Sequence, residues 1–592
     1  MIDLKARPFY LSDEDIQWVT DMRNQMTLEE KVGQLFCPMG FSGDPHVLNH
    51  IVNERHVGGM MFRTGMKAEI HATYGAIQRM AKIPLLLAAN TESGGNGLCA
   101  EGTSFGKPLA VAATADAENA YRMGYVSCAE GAAAGMNWSF APIVDIDREF
   151  HNPITNVRTF GSDVDRVIEM GKAYLRGAKD AGVATAVKHF PGDGCDERDQ
   201  HIVTSINSLS AEDWDNSYGR VYREMIETGT LSVMVGHIAQ PEKVKQINPG
   251  ATKREMLYPA TLSYELLTGV LRGQLGFNGL ISTDATPMIG YLCAMKREDA
   301  LPASIMAGCD MILFNKDLDE DYGFMMAAAQ DGRLTAARLD EAVTRILATK
   351  AALQLHTKQQ NDTLVPSEDG LRVVGCEQHK KWAKQVADES VTLVKDTQKL
   401  LPISPQRYKR VYLNVVQKSV NVADPLVAEW KTLFEKEGFD VTVRDRSTTI
   451  EMENFMGINM TPQKAELMHE LYRPIAEFKA SKDLYVYIAN IENASNNTTT
   501  RLNWNVVFGL GDDAPWFTEE IPVLFISVAN PYHLFDAPMV KTYINAYSAS
   551  PEFNQAVMDK IMGRSEFKGK NPVDPFCGNQ YLRWMSEEDD EQ

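Results

Sequence analysis

One loop of the chain, residues 188–201, brings two histidines, a lysine and several carboxylates close together. It reads Lys-His-Phe-Pro-Gly-Asp-Gly-Cys-Asp-Glu-Arg-Asp-Gln-His. The loop follows the apolar run of residues 183–187, which is typical of a buried strand. A strand end that opens into a polar loop is where barrel and doubly wound α/β enzymes place their catalytic groups. Taken alone, the loop is equally well interpreted as a solvated turn with ordinary surface charges.

A second strand end favours the catalytic interpretation. Residues 279–284 read Gly-Leu-Ile-Ser-Thr-Asp, an apolar and β-branched run whose last residue is the carboxylate Asp284. Two polar strand ends in one chain are expected at the carboxyl edge of a parallel sheet, where active sites form. The alternative role for Asp284 is that of a helix N-cap, since Ala-Thr-Pro follows it.

Eight apolar runs are predicted as strands, and helical periodicity separates most of them. The runs are residues 34–38, 58–62, 84–89, 136–140, 183–187, 231–235, 279–282 and 310–314. Helices are indicated at residues 109–134 and 164–181, and residues 338–350 read as a closing helix. Strand and helix alternating eight times predict a (β/α)8 barrel of the TIM type. A doubly wound sheet with two lobes is the competing topology.

Composition and charge limit the classes of function that the chain is expected to have. The chain has 592 residues, of which 44% are hydrophobic, enough for more than one core. Its net charge of −20 argues against nucleic acid or an anionic membrane as partner. No apolar run is long enough to cross a bilayer, and residues 1–7 lack the apolar core of a signal peptide, so we expect a cytoplasmic protein. Its eight cysteines lack metal-type spacing, and we expect neither a metal nor a cofactor.

The two polar strand ends resemble those of glycoside hydrolase family 3, in its β-N-acetylglucosaminidase branch. That branch has a Lys-His-Phe-Pro-Gly-His-Gly-Asp-Thr-x-x-Asp-Ser-His loop, and residues 188–192 and the Asp and His of residues 199–201 match it in the same register. Asp193 stands where the family has His, and residues 195–196 replace its Asp-Thr. Further matches follow in chain order at residues 26–35, 158–161 and 307–311.

The resemblance also implies the domain organisation, which is an α/β fold with two domains. We predict the barrel at residues 1–354, a polar linker at residues 355–385 and a C-terminal α/β sandwich at residues 386–592. In the sandwich, strands are expected at residues 410–416, 440–443, 484–490 and 523–528, and helices at residues 427–437 and 463–479. Residues 586–592 form an acidic tail that we expect to be disordered.

The resemblance implies a retaining mechanism, in which one group attacks the anomeric carbon and another protonates the leaving oxygen. Asp284 matches the family's nucleophile. His201, held by Asp199, matches the acid/base that this branch uses in place of a second carboxylate. A carboxylate on one ring nitrogen sets the tautomer and leaves the other nitrogen to exchange a proton. A surface histidine in a mobile loop is the alternative for His201.

The resemblance also implies residues that bind the sugar. Lys188, His189 and Arg158 correspond to family residues that hydrogen-bond sugar hydroxyls. His237, at the sixth strand end, is predicted to line the same pocket, with a packed structural histidine as the alternative. Asn90 stands where the family's third strand carries an Asp that grips a distal hydroxyl. An amide both donates and accepts, so we expect discrimination at that hydroxyl to be weaker.

The sequence therefore predicts a retaining exo-β-N-acetylhexosaminidase. It would remove terminal N-acetyl-β-D-glucosamine from small oligosaccharides or muropeptide fragments through a covalent glycosyl-aspartate. A phosphorylase or another β-glycosidase of the same family is the alternative within this chemistry, and an inactive sugar-binding protein is the alternative outside it. The expected partners are a small carbohydrate substrate, an N-acetylhexosaminide, with a homodimer left open and with no nucleic acid and no membrane.

Overall fold

The computed structural model describes residues 2–417, 424–444, 458–493, 495–496, 498, 501–502 and 514–585. The chain divides into two compact units. The first comprises Met1–Pro108, Asp116–Ala383 and Ala494–Thr499, and the second comprises Leu109–Ala115, Lys384–Asn493 and Thr500–Gln592. The predicted acidic tail, residues 586–592, lies outside the described residues.

The first unit contains a barrel of parallel strands, in agreement with the predicted fold class. Its strands, in chain order, are Phe36–Cys37 with Met39–Gly40, Gly59–Phe62, Leu86–Ala89, Trp138–Ser139, Ala184–Phe190, Ser232–Val235, Leu280–Ala285 and Met311–Leu313. Pro38, which has no N–H to donate, divides the first strand into two segments. One segment pairs with the eighth strand and the other with the second, so the strand order runs around the barrel.

Helices alternate with these strands. In the first unit they span Asp13–Gln25, Leu28–Gln34, Pro45–Asn49, Lys67–Met80, Ala117–Ala133, Val164–Asp180, Ala211–Asn216, Tyr218–Thr228, Pro241–Ile247, Lys253–Met256, Ile289–Leu292, Arg297–Ala307, Leu318–Asp331, Ala336–Ala352 and Leu355–Gln360. Two π-helical segments occur at His50–Glu54 and Glu265–Gln274, and 3-10 turns at Gly95–Gly97, Asn156–Arg158, Ala260–Leu262 and Glu368–Val373. Among the helices in the described part of the chain, none combines the length and apolarity needed to span a membrane.

Two predicted helices are each divided in the structure. The stretch predicted at residues 109–134 forms Pro108–Ala113 and Ala117–Ala133, because the side chain of Asp116 accepts the Glu118 N–H and starts a new helix. The stretch predicted at residues 463–479 forms Pro462–Leu471 and Ile475–Ser481. Pro474 has no N–H and disfavours helical backbone before it, so the helix ends there.

The predicted linker, residues 355–385, contains more regular structure than its polarity suggests. It holds Leu355–Gln360, Glu368–Val373 and the first part of Glu377–Ser390, which leads into the second unit. Leu355 and Leu371 are buried in it while most of their polar neighbours face solvent. Polar composition here marks the outer faces of short helices.

The second unit is built on a six-stranded sheet. Its order is Thr392–Asp396, Thr542–Asn545, Val523–Ser527, Leu484–Asn490, Arg410–Gln417 and Asp440–Val443. All neighbours are parallel except the first pair, which is antiparallel. The four predicted strands are present, and the structure adds the two at Thr392–Asp396 and Thr542–Asn545. The helices of this unit are Pro425–Lys436, Pro462–Leu471, Ile475–Ser481, Pro551–Ile561 and Gln580–Trp584, with a 3-10 turn at His533–Phe535.

A buried ionic cluster ties the amino ends of the last two barrel strands together. Asp310, which is fully buried, precedes the eighth strand and accepts hydrogen bonds from Arg272 at 2.6 Å and from Arg338 at 2.8 Å. Its carboxylate also accepts the backbone N–H of Ile281 in the seventh strand at 2.9 Å. Burial would raise the pKa of Asp310, but the arginines around it lower that pKa below its usual value.

We expect Asp310→Ala to destabilise the barrel by about 3–5 kcal/mol, because it leaves buried guanidinium groups without their shared carboxylate. The measurement is the melting temperature by scanning calorimetry. Asp165→Ala is the matched control, since Asp165 is 78% exposed and its ion pair with Arg220 lies at the surface. An equal shift in both variants would show that the buried cluster has no special role in stability.

Candidate active site

The carboxyl ends of the barrel strands surround a cavity of about 760 Å³. Of the residues predicted for the site, those that line it are Asn90, Arg158, Lys188, His189, His201 and Asp284. The other two, Asp199 and His237, do not line it. Polar strand ends that are far apart in the sequence are therefore brought to one cavity, as expected for parallel strands in a barrel.

Asp284 lies in the seventh strand near its carboxyl end, with its side chain 15% exposed. Its Oδ2 atom is 3.9 Å from Nε2 of His189, and its Oδ1 accepts the Ala285 N–H at 2.7 Å. Burial alone would raise the pKa of Asp284, but the imidazoles around it, His189 first, and that N–H group lower it below its usual value. Asp284 is therefore ionised at neutral pH. The next helix begins at Ile289, so Asp284 is not its N-cap.

His201 and Asp199 form a hydrogen-bonded pair. Nδ1 of His201 is 2.7 Å from Oδ1 of Asp199, which also accepts the backbone N–H of His201 at 2.8 Å. Because a carboxylate only accepts, Nδ1 carries the proton and Nε2 is left for proton exchange. The backbone carbonyl of His201 accepts the N–H of Ile289 at 3.0 Å. His201 is therefore held at the cavity by its ring and its backbone.

The cations predicted to bind the sugar share one carboxylate. Arg158 donates two hydrogen bonds to Glu92, at 3.1 and 2.8 Å, and Lys188 donates to the same carboxylate at 2.8 Å. Lys188 also reaches Oδ1 of Asn90 at 3.5 Å. Although burial would raise the pKa of Glu92, the two cations hold it well below its usual range. This group of charges therefore presents a net positive charge to the cavity.

His189 is oriented by a carboxylate behind it. Its Nδ1 is 2.7 Å from Oδ2 of Asp145, and its backbone N–H donates to Oδ1 of Asp145 at 3.1 Å. Asp145 is fully buried, and Nδ1 of His189 must carry a proton to donate to it. The ring consequently turns Nε2 toward Asp284.

The prediction that His237 lines the pocket is wrong. His237 is fully buried, with Nε2 donating to the carbonyl of Ala285 at 3.0 Å and Nδ1 accepting from the hydroxyl of Thr261 at 3.0 Å. Burial lowers the pKa of His237 to about 4, so the ring is neutral at pH 7. Both nitrogens are used, and His237 supports the backbone beside Asp284, as its structural alternative proposed.

Two residues that line the cavity, Glu92 and Asn496, were not among the predicted site residues. Glu92 stands two residues after Asn90 at the same strand end, which was a usable signal, but no role was predicted for it. The backbone N–H of Asn496 donates to Oδ2 of Asp199 at 2.6 Å, across 297 positions of the chain, and no local pattern indicates it. Within the described residues, no group of three or more His, Cys, Asp or Glu side chains is arranged to hold a metal ion.

Comparison with known proteins identifies the family. The model of the Glycosyl hydrolase family 3 N terminal domain matches residues 27–349, which is more than half of the chain. The chain belongs to glycosyl hydrolase family 3. The resemblance of the two strand ends to this family is confirmed.

Three known proteins are similar to nearly the whole chain. A beta-N-acetylglucosaminidase/beta-glucosidase of Cellulomonas fimi is 41% identical over 578 residues, covering 98% of this chain and 99% of that protein. The solved structure of the beta-glucoside phosphorylase BglX is 43% identical with a TM-score of 0.89, covering 98% and 99% of the two chains. A family 3 beta-N-acetylglucosaminidase from Paenibacillus sp. str. FPU-7 shares the fold, at 24% identity and a TM-score of 0.73 over 94% of this chain and 100% of that one.

We expect Asp284→Asn to lose several orders of magnitude in kcat while its melting temperature changes little, because an amide cannot form the covalent ester. Asp317→Asn is the matched control, since Asp317 is an exposed carboxylate that lines the same cavity. A 2-deoxy-2-fluoro glycosyl probe should label Asp284 in the natural sequence, as peptide mapping would reveal. Labelling of a different carboxylate would overturn the assignment of the nucleophile.

Proposed function

We propose that the chain is a retaining β-glycoside phosphorylase. Asp284 takes a terminal β-glucosyl or N-acetyl-β-glucosaminyl group as a covalent ester, and inorganic phosphate removes the group from the enzyme. The observation that carries this proposal is the acid/base, which is a histidine paired with Asp199 where most retaining glycosidases use a second carboxylate.

In the first step, the Asp284 carboxylate attacks the anomeric carbon while the bond from that carbon to the leaving oxygen breaks. Nε2 of the protonated His201 gives its proton to the leaving oxygen, and the proton on Nδ1 stays with the hydrogen bond to Asp199. The products of this step are a glycosyl ester on Asp284, a neutral His201 and the free aglycone.

In the second step, an oxygen of hydrogen phosphate attacks the anomeric carbon and the ester bond to Asp284 breaks. Nε2 of His201 takes the proton of the phosphate, which restores the protonated acid for the next cycle. The two displacements invert the anomeric carbon twice, so the sugar phosphate keeps the configuration of the substrate.

The charge of the acid/base decides which acceptor the site tolerates. After the first step a carboxylate acid/base would be an anion, whereas His201 is neutral at that point. Two unit charges about 4 Å apart repel by ~4 kcal/mol at an effective dielectric constant of 20. A histidine therefore removes a large barrier to an anionic acceptor. Arg63 and Lys316 also line the cavity with exposed side chains, and within the described part of the chain neither has an ion pair.

The similarity to two full-length relatives supports the choice of sugars. The Cellulomonas fimi protein is named for both N-acetylglucosaminide and glucoside cleavage, and the BglX structure for β-glucoside phosphorolysis. Asn90 in place of a carboxylate at the third strand is consistent with a sugar site of relaxed selectivity. Hydrolysis of terminal N-acetylglucosamine is the second candidate, which the name of the Cellulomonas fimi relative favours.

The test measures the turnover of p-nitrophenyl β-glucoside and of p-nitrophenyl N-acetyl-β-glucosaminide, with and without inorganic phosphate. We expect phosphate to raise turnover and phosphorus NMR to detect a sugar 1-phosphate. Release of free sugar at a rate that phosphate does not change would support the hydrolase instead. If the chain bound the sugar but showed neither turnover nor labelling of Asp284, it would be a sugar-binding protein.

His201 variants separate proton transfer from charge. We expect His201→Ala to slow glycosides with poor leaving groups by about 10²–10⁴-fold and activated aryl glycosides far less, because general acid help matters most for a poor leaving group. His201→Glu keeps a proton donor but adds a negative charge, so the rate advantage from phosphate should fall at least tenfold, which corresponds to ~1.4 kcal/mol. Equal losses of His201→Ala on both substrate types would mean that His201 only supports the loop.

A further inference from the structure

The loop that carries the acid/base is fixed at its centre by Gln200. Gln200 lies between Asp199 and His201, and its side chain is fully buried. Its Oε1 accepts the backbone N–H of His237 at 2.8 Å, and its Nε2 donates to Oδ2 of Asp193 at 3.1 Å. A Cβ atom on Gly236 would come within 2.9 Å of this Oε1, so the glycine leaves room for the amide.

Asp193 also forms hydrogen bonds with residues other than Gln200. It is 2% exposed, and its Oδ1 accepts hydrogen bonds from Asn152 at 2.9 Å and from the Gly194 N–H at 2.7 Å. Its own backbone N–H donates to Asp145 at 2.8 Å. Asp193 stands where the family motif has histidine, and it takes no part in the two proposed proton transfers.

The donor and the acceptor in each hydrogen bond of Gln200 follow from the groups that it contacts. A backbone N–H can only donate, so the atom of Gln200 that faces His237 must be the carbonyl oxygen. The amide nitrogen of Gln200 then faces Asp193 and must donate, so Asp193 has to accept there as well as at its Oδ1. A carboxylate meets both demands. An asparagine would set a donor against a donor in either orientation of its amide.

We infer that Asp193 and Gln200 are positioning residues, and that their contact is a clamp that holds Nε2 of His201 in place for proton transfer. The inference rests on the proposed function, since it concerns the same acid/base. Residues 193–204 contain no helix or strand, so the loop that carries His201 is held by side-chain contacts together with a few backbone hydrogen bonds, such as that from Ile289 to His201. Proton transfer requires hydrogen-bond reach, and a misplacement of about 1 Å is enough to cost about 10²-fold in rate.

The test exchanges the two partners. Asp193→Asn sets donor against donor, and Gln200→Glu sets carboxylate against carboxylate. In the double variant, the amide nitrogen introduced at position 193 donates to one oxygen of the carboxylate introduced at position 200. The other oxygen of that carboxylate accepts the His237 N–H, and the amide oxygen at position 193 still accepts from Gly194. Each single variant should therefore lose activity, and the double variant should recover part of it.

Glu197→Gln is the matched control for this exchange, because it makes the same acid-to-amide change at an exposed position of the same loop. The readout is kcat/KM for an alkyl β-glucoside with a poor leaving group and for a dinitrophenyl β-glucoside with a good one. We expect each single variant to lose about 10²-fold on the alkyl glucoside and much less on the activated one, as for a weakened general acid.

The double variant should regain at least tenfold of that loss, and Glu197→Gln should match the natural sequence. If Asp193→Asn does not fold, recovery of folded, active protein in the double variant supports the same pairing.

Two results would overturn the clamp. One is an equal loss on both substrates in the single variants, which indicates a general structural defect. The other is a double variant whose losses simply multiply those of the single variants, which shows that the two residues act independently. If the fluoro sugar failed to label Asp284 in the unmutated protein, the proposed function would be overturned instead, and with it the role given to the clamp.

Discussion

The fully buried carboxylate of Asp145 is the constraint on which the rest of the site depends. It accepts hydrogen bonds from the ring and the backbone N–H of His189 and from the backbone N–H of Asp193. A buried carboxylate must have such donors, because removing it from water without them is very costly. The end of the fifth strand and the start of the loop that carries His201 are therefore held at one point. The ring of His189 faces Asp284 as a consequence.

The two groups proposed to react, Asp284 and His201, occupy different electrostatic environments. Asp284 is an anion whose pKa is lowered by the imidazoles around it, as a nucleophile requires. In the proposed mechanism His201 becomes neutral after giving up one proton, while its partner Asp199 lies behind it and does not line the cavity. The negative charge of Glu92 is compensated by Arg158 and Lys188. These compensated charges are the basis of the proposal that the acceptor is an anion.

Much of the fold follows from local pattern. Each of the eight predicted barrel strands is present, because a buried strand in a parallel sheet is a continuous apolar run that shows itself in the sequence. Two predicted helices are divided in the structure, one before Asp116 and one before Pro474, where a cap or a missing N–H interrupts a periodic stretch. Lys188, His189 and Asp284 could be predicted to meet because they lie at the carboxyl ends of strands, and the carboxyl ends of parallel strands share one edge.

By itself, the sequence determined the order of the barrel strands, the residues at their ends and the pairing of Asp199 with His201. These depend on periodicity and on motifs a few residues long. Only the tertiary structure decided that His237 is buried with both nitrogens occupied, that Glu92 joins Arg158 to Lys188, and that Asn496 supports Asp199. Burial and hydrogen-bond partners depend on which distant segments come together, and no local pattern encodes that approach.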